Sequence, residues 1–507
     1  MARSPMLAAR NSGVAIIAMV FSISASRISD MPAALAGLGP APSAHKAKPS
    51  PKKSLPAMRR RMRFTMISID RMFPQAKGRR RVRQRARRSV LAVLAAGSMV
   101  AGCADDRQIG VVGYIEGFSG VVAADEPQAV LAGRDILSAG GRAADAAVAM
   151  AFTLAVTLPS AAGLGGGGLC VVYDAKANKA ETLDFLPGPA SGGMAAYGAP
   201  GGAFGGGRAV AVPALGRGMF ALNAKYGTLR WEGLLAAPEN LARFGFPVSR
   251  AFGQRLADLP RGPGVDRRLS ARFAGVSEGG RYSDVDLAGL IGRLRQRGPG
   301  EMHDGQLARE IAQAAQAEGI GLTVEDLRRQ LPRWLPTTTA ERGNEIVHTA
   351  TTPGAAGGSG GAAPGATGFV VADSYGNAVS CALTLGRPFG SGRIMPNQGF
   401  VLADASAVAG GGEALATLLM INPNVHEFHL AIAGAGAGAA ALQSAVARPL
   451  LENEGDAQAA IAGAISAVAS GARVNVASCP QGIPPKPASC RAATDPRGAG
   501  YALRAGS

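Results

Sequence analysis

Thr367 is the side chain in this sequence best placed to act as a nucleophile. It opens the run Thr367-Gly368-Phe369-Val370-Val371, directly after the Gly/Ala-rich stretch Gly354–Gly365. It is also the only hydroxyl residue between Gly361 and Ala372. A chain that cuts itself before Thr367 makes that residue a new N-terminus, whose own α-amine can serve as general base for its hydroxyl. The flexible run ahead of it can present the strained, exposed peptide bond that such an attack needs. The alternative is a threonine on an edge strand that follows a linker.

The elements that would position Thr367 can be read from the local pattern. Phe369–Val371 and Ala378–Leu383 are β-favouring runs, and Tyr375-Gly376-Asn377 supplies the turn between them. Thr384 closes the second run and is expected to meet Thr367 across the hairpin. Further along, Glu427–Ala433 reads as a strand, Gly434–Gly438 as a loop and Ala439–Leu451 as a helix. Nearer the start, Ala143–Leu158 carries small residues on every face and predicts a buried helix, followed by a strand at Leu169–Tyr173.

Two other motifs fail on context. Gly163–Gly168 fits G-x-G-x-x-G by letter, but that fingerprint needs a strand before it and a helix after it, and here the order is reversed. His426-Glu427-Phe428-His429 has i, i+3 spacing in a predicted strand, which turns the two histidines to opposite faces. Neither a nucleotide, a metal nor another cofactor is expected.

Charge is distributed in a way that decides against nucleic acid. The chain of 507 residues carries a net charge of +18, yet residues 1–102 hold 20 of its 53 Lys/Arg and 2 of its 35 Asp/Glu. The remainder, with 33 of each sign, is neutral. Phosphate neutralisation would require the excess on the folded part.

The basic segment reads as an export signal. Residues 72–103 contain Arg79-Arg80-Arg81, Arg87-Arg88, the apolar run Val90–Ala96 and then Val100-Ala101-Gly102-Cys103. That is an n-region, an h-region too short to span a bilayer and a small-residue cleavage site. The last four residues resemble the bacterial lipobox, which implies lipidation of Cys103 and anchoring at the membrane in the periplasm or cell envelope. Arg87-Arg88 leaves twin-arginine export open, and a short buried hydrophobic helix is the structural alternative. Residues 1–71 are expected to be a non-structural upstream extension, as when a translation start is placed too early. Cys479 and Cys490 can pair in an oxidising compartment, whereas Cys170 and Cys381 read as small core residues.

Separate pieces in order now resemble the γ-glutamyltranspeptidase family. They are Val121-Val122-Ala123, Leu137–Ala147, Gly163–Gly168, Leu183-Asp184-Phe185, Ala209–Pro213, Lys225–Trp231 and Phe244–Ser249. Asp304–Ala308, Leu322–Leu327, Gly376–Val379 and Phe389–Gly392 continue the series. The resemblance implies an α/β, αββα N-terminal nucleophile (Ntn) hydrolase sandwich, made as one precursor that cuts itself into a large-subunit-like region, 104–366, and a small-subunit-like region, 367–507. It implies attack on a γ-glutamyl amide such as glutathione, with water, an amino acid or a peptide as acceptor. Thr384 matches the family threonine that hydrogen-bonds the nucleophile. Gly436 is the nearest match to a glycine of the oxyanion hole, with an ordinary βα turn as the alternative.

The sequence departs from the family at several site positions. Counting back from Gly376-Asn377-Ala378-Val379 puts Ala366, not Thr367, where the family nucleophile stands. A one-residue shift turns a strand side chain to the opposite face. The arginine expected after Asp184-Phe185 is Leu186, and the asparagine expected after Thr384-Leu385 is Gly386. An acidic pair is reduced to Asp404, and a serine pair near Leu418-Leu419 is absent. Arg387 or Arg393 is a candidate replacement anchor for a substrate carboxylate, with surface arginine as the alternative. Two functions therefore compete: γ-glutamyl transfer or hydrolysis by Thr367, and a non-catalytic, envelope-anchored relative.

Overall fold

The central strands of this chain alternate between two apolar faces, and that alternation generates four layers. The computed structural model describes residues 120–505 apart from 193–208, 263–264, 353–363, 409–413, 453–455 and 469. The upstream extension, the export signal with Cys103 and most of the Gly354–Gly365 run lie outside the described residues. All described residues belong to one compact unit, Gln108–Ser507.

The first sheet contains β1 (Gly120–Ala124), β2 (Gly167–Asp174), β3 (Lys179–Phe185) and β4 (Arg333–Leu335). The second begins with β5 (Thr338–Arg342) and β6 (Glu345–Thr351). The expected hairpin forms as β7 (Ala366–Asp373) and β8 (Ala378–Thr384), and it returns the chain to the first sheet. β9 (Leu415–Asn422), β10 (Glu427–Ala435), β11 (Arg473–Ile483) and β12 (Arg491–Thr494) complete the second sheet, and β13 (Tyr501–Arg504) closes the first. Strand order is β13-β1-β7-β8-β2-β3-β4 in one sheet and β12-β11-β10-β9-β6-β5 in the other. The hairpin thus occupies the centre of the first sheet. The expected large/small boundary falls inside β7, and each sheet takes strands from both sides of it.

Period-two burial sorts the side chains. Val121, Val171, Val370 and Ala372 face Leu419, Ile421, Ala431 and Ala433 between the sheets. Val122, Val172, Phe369 and Val371 face the outer helices instead. These include α1 (Pro127–Ser138), α2 (Ala143–Thr157), α3 (Leu215–Tyr226) and the short α4 (Arg250–Arg255). Every residue of α2 is buried, as its all-round small side chains predict. Over the second sheet, α5 (Ala439–Leu451) and α6 (Ala457–Ala467) cover Leu418, Leu430, Ile432, Val474 and Val476.

The cysteines correct one expectation. Cys170 and Cys381 are buried but do not stand as separate small core residues. The β2–β8 register sets them directly opposite each other, and they form a disulfide. Cys479 and Cys490 form a second one, 11 residues apart.

Candidate active site

β1 pairs with β7 only as far as Ala124 and Phe369. Beyond that point the chain turns away into Asp125-Glu126 and α1. The β7 carbonyls on this edge then need donors other than a strand. Asn475 Nδ2 donates to the Gly368 carbonyl at 2.9 Å. Arg255, at the end of α4, donates through Nη1 to Pro364 at 2.6 Å and to Ala366 at 3.4 Å.

Asp125 ties these groups to the candidate nucleophile. The Thr367 hydroxyl donates to Asp125 Oδ2 at 2.8 Å, and Asn475 Nδ2 donates to Oδ1 at 2.8 Å. Arg255 Nη2 lies 3.5 Å from the same Oδ2. None of the four residues is more than 3% exposed. A buried ion pair with this many hydrogen bonds holds one geometry tightly, because each member becomes costly once its partner leaves. Asn475 Oδ1 is a buried acceptor left without a partner among the described residues.

Strand register separates Thr367 from Thr384. The pairing is Thr384 opposite Ala366 and Leu383 opposite Thr367. The expected contact between the two threonines is therefore corrected: their side chains leave the sheet on opposite faces. Thr384 Oγ1 instead accepts the Gly386 N–H at 2.8 Å and donates to the Gly365 carbonyl at 3.4 Å. Ala366 points between the sheets into an apolar cluster with Leu169, Ala382, Leu415 and Ala435, against which Leu186 packs. Two of the positions where the resemblance led to the expectation of a polar group, Ala366 and Leu186, thus meet in one apolar patch.

Other candidate residues surround this end of the sandwich. Gly436 sits beside Pro364 and Ala472: a side chain there would come within 2.9 Å of Pro364 Cβ, and its φ of +117° favours glycine. Its N–H already donates to the Ala414 carbonyl at 2.9 Å, so this donor is not open to an oxyanion. Arg387 Nε pairs with the buried Asp404 at 3.1 Å. Asp404 also accepts from the Ser406 and Ala407 backbone, which spends it on turning the chain. Arg393 is half-buried. Gly386 has φ +82°, and a Cβ there would lie 2.7 Å from the Asp404 carbonyl. The family asparagine has no room at that position.

Glu126 follows Asp125 and is wholly buried at the N-cap of α1, accepting from Ala129 N–H and the Thr157 hydroxyl. Burial pushes its carboxyl up to about 7. Its second oxygen has no partner among the described residues.

Sequence reading missed Asp125, Arg255 and Asn475. The available signal was a lone polar residue breaking an apolar run, as in Val121-Val122-Ala123-Ala124-Asp125 and Val474-Asn475-Val476. Arg255 offers no such signal among the many arginines of its segment.

Comparison with known proteins now decides the lineage. The family model described as Gamma-glutamyltranspeptidase matches residues 129–363 and 335–409, more than half of the chain. The chain belongs to the γ-glutamyltranspeptidase family. It is 28% identical to Glutathione hydrolase 3 of Arabidopsis thaliana over 288 residues, which cover 55% of this chain and 44% of that protein. It is 31% identical to the Glutathione hydrolase proenzyme of Pseudomonas aeruginosa over 246 residues, 47% of this chain and 44% of that protein. The chain thus spans under half the length of these curated relatives. Its fold matches the crystal structure of cephalosporin acylase from Bacillus halodurans with a TM-score of 0.62 at 19% identity. That match covers 76% of this chain and 96% of the other. The αββα sandwich is that of the Ntn hydrolases.

Proposed function

We propose that this protein is a self-cleaving γ-glutamyl amide hydrolase and transferase whose nucleophile is Thr367. The observation that carries this reading is the 2.8 Å hydrogen bond from the Thr367 hydroxyl to the buried Asp125 carboxylate. A carboxylate in that position can take the hydroxyl proton during attack. Cleavage before Thr367 releases Gly365 and Ala366 from their pairing with Leu385 and Thr384. The gap they leave adjoins the new Thr367 N-terminus, where the acyl part of a substrate would enter. The names of the relatives support glutathione-like peptides as substrates, with water, an amino acid or a peptide as acceptor.

The test is the mass and N-terminal sequence of the purified chain, with release of a chromophore from a γ-glutamyl anilide. Two fragments, the smaller beginning Thr-Gly-Phe-Val, and chromophore release are expected; both should vanish in Thr367→Ala. A wild-type chain that stays intact and releases nothing overturns the reading.

One observation favours a second reading, a non-catalytic relative held at the envelope. Ala366 and Leu186 fill the family's nucleophile and carboxylate positions with apolar contacts. An intact, inactive wild-type chain is the result this reading requires.

Either protein is proposed to be exported and lipid-anchored through Cys103. All four later cysteines are paired as disulfides, which supports an oxidising compartment. A chain expressed from Met72 should partition with membranes and become soluble as Cys103→Ala; unchanged partitioning of the variant counts against the anchor.

A further inference from the structure

We propose that the buried Asp125–Arg255 pair is the apparatus that cuts the Ala366–Thr367 peptide bond, with Asp125 as proton acceptor and Arg255 as the stabiliser of the carbonyl oxygen. The inference rests on the reading of Thr367 as nucleophile and assigns the chemistry to two further residues.

The argument starts from the strand edge. Once β1 ends at Ala124, the carbonyls of Pro364, Ala366 and Gly368 are taken by side chains. The middle one belongs to the bond to be cut. Arg255 meets it at 3.4 Å and reaches Asp125 Oδ2, the acceptor of the Thr367 hydroxyl, with its other terminal nitrogen at 3.5 Å. One guanidinium therefore touches both the oxygen that would gain negative charge and the group that would take the proton. Both side chains are excluded from water, at 4% and 2% exposure, where an oriented charge acts most strongly on a developing oxyanion. The 3.4 Å distance belongs to a neutral carbonyl and is expected to shorten as charge develops on the oxygen.

The step balances with water as the only co-reactant. Thr367 Oγ1 forms a bond to the Ala366 carbonyl carbon while its proton passes to Asp125. The carbonyl electron pair moves onto oxygen, facing Arg255. Collapse of this centre breaks the carbon–nitrogen bond, and the Thr367 nitrogen takes the proton from Asp125. The product is an ester between Ala366 and the Thr367 hydroxyl. Water then adds to the ester, leaving an Ala366 carboxylate and a Thr367 with free amine and free hydroxyl.

A purely structural clasp on the strand edge would hold the same residues together but would not set a rate. The full chain is therefore purified quickly as wild type, Thr367→Ala, Asp125→Asn, Arg255→Met and Arg255→Lys, and cleavage is followed by intact mass under reducing conditions. Thermal melting identifies any variant that fails to fold. Wild type is expected to cleave, Thr367→Ala to stay whole, and Asp125→Asn and Arg255→Met to slow by about a hundredfold or more. Arg255→Lys keeps the charge and should fall between. Folded Asp125→Asn and Arg255→Met chains that cleave at the wild-type rate overturn this proposal while Thr367 stands. A wild type that never cleaves removes both. If Asp125→Asn or Arg255→Met does not fold, the Arg255→Lys rate decides: an unchanged rate overturns the proposal.

Discussion

Thr384 stands directly across the hairpin from Ala366, with the two side chains on the face between the sheets. Ala366 contributes no hydroxyl there, and its neighbours Leu169, Ala382, Leu415 and Ala435 leave an apolar surround. Ala366→Thr would add atoms and a polar group to a packed site. Overpacking of this kind costs about 1–3 kcal/mol. We expect a lower melting temperature than wild type by differential scanning calorimetry, and an unchanged or raised value would show that the site has room for the hydroxyl.

Glu126 predicts a pH dependence of stability. Its carboxyl lies near 7 in the folded chain because burial disfavours the charged form, against an ordinary value of 4.5. The folded state therefore holds a proton that the unfolded state releases between those values, and stability falls as pH rises through this window. The stabilising effect is complete below about 4.5 and lost above about 7, and the shift corresponds to on the order of 3 kcal/mol. Glu126→Gln keeps an acceptor for Ala129 and Thr157 but cannot ionise. Urea unfolding from pH 4.5 to 7.5 should show a shallower decline in the variant, which should also be the more stable protein at pH 7.5. Parallel curves for the two proteins would exclude Glu126 as the source.

Much of this architecture was legible because local pattern and burial agree. The hairpin, the all-buried Ala143–Thr157 helix and the strand–glycine loop–helix at Glu427–Leu451 each follow from period and turn chemistry. The opposite facing of Ala366 and Thr367 was readable too, because alternation makes a one-residue shift a change of face. What could not be read was the company Thr367 keeps. Asp125, Arg255 and Asn475 lie 242, 112 and 108 positions away in sequence, and only the premature end of β1 brings them to one edge. Gly436 shows the converse failure, since its place in the glycine loop was legible but the use of its N–H by Ala414 was not.

Leu186 makes a prediction about substrate affinity. The resemblance implies an arginine at this position to pair a substrate carboxylate, and Leu186 instead packs beside Ala366. Arg387 is already engaged by Asp404 at 3.1 Å. Losing one charge-assisted hydrogen bond costs roughly 1.5–3 kcal/mol, about tenfold to a hundredfold in affinity. Glutathione should therefore saturate this protein weakly, with a KM well above that of the Pseudomonas aeruginosa relative measured side by side. Equal KM values would mean that another cation anchors the carboxylate, and Arg393→Ala would then be the variant that raises KM.

The Cys170–Cys381 disulfide predicts how the cut chain behaves. Cys170 lies on β2, before the Ala366–Thr367 bond, and Cys381 lies on β8, after it. Cleavage before Thr367 would therefore leave the two fragments joined by a covalent bond as well as by the shared first sheet. Cys479–Cys490 lies wholly on the later side and cannot do this. Denaturing electrophoresis without reductant should show one band at the position of the uncut chain, and intact mass should rise by one water. Reductant should split that band into two. The variant Cys170→Ser/Cys381→Ser should give two bands without reductant, with cleavage itself retained because Cys381 stands opposite Phe369, not Thr367. Two separate bands from wild-type protein without reductant would show that the disulfide is not formed in the mature molecule.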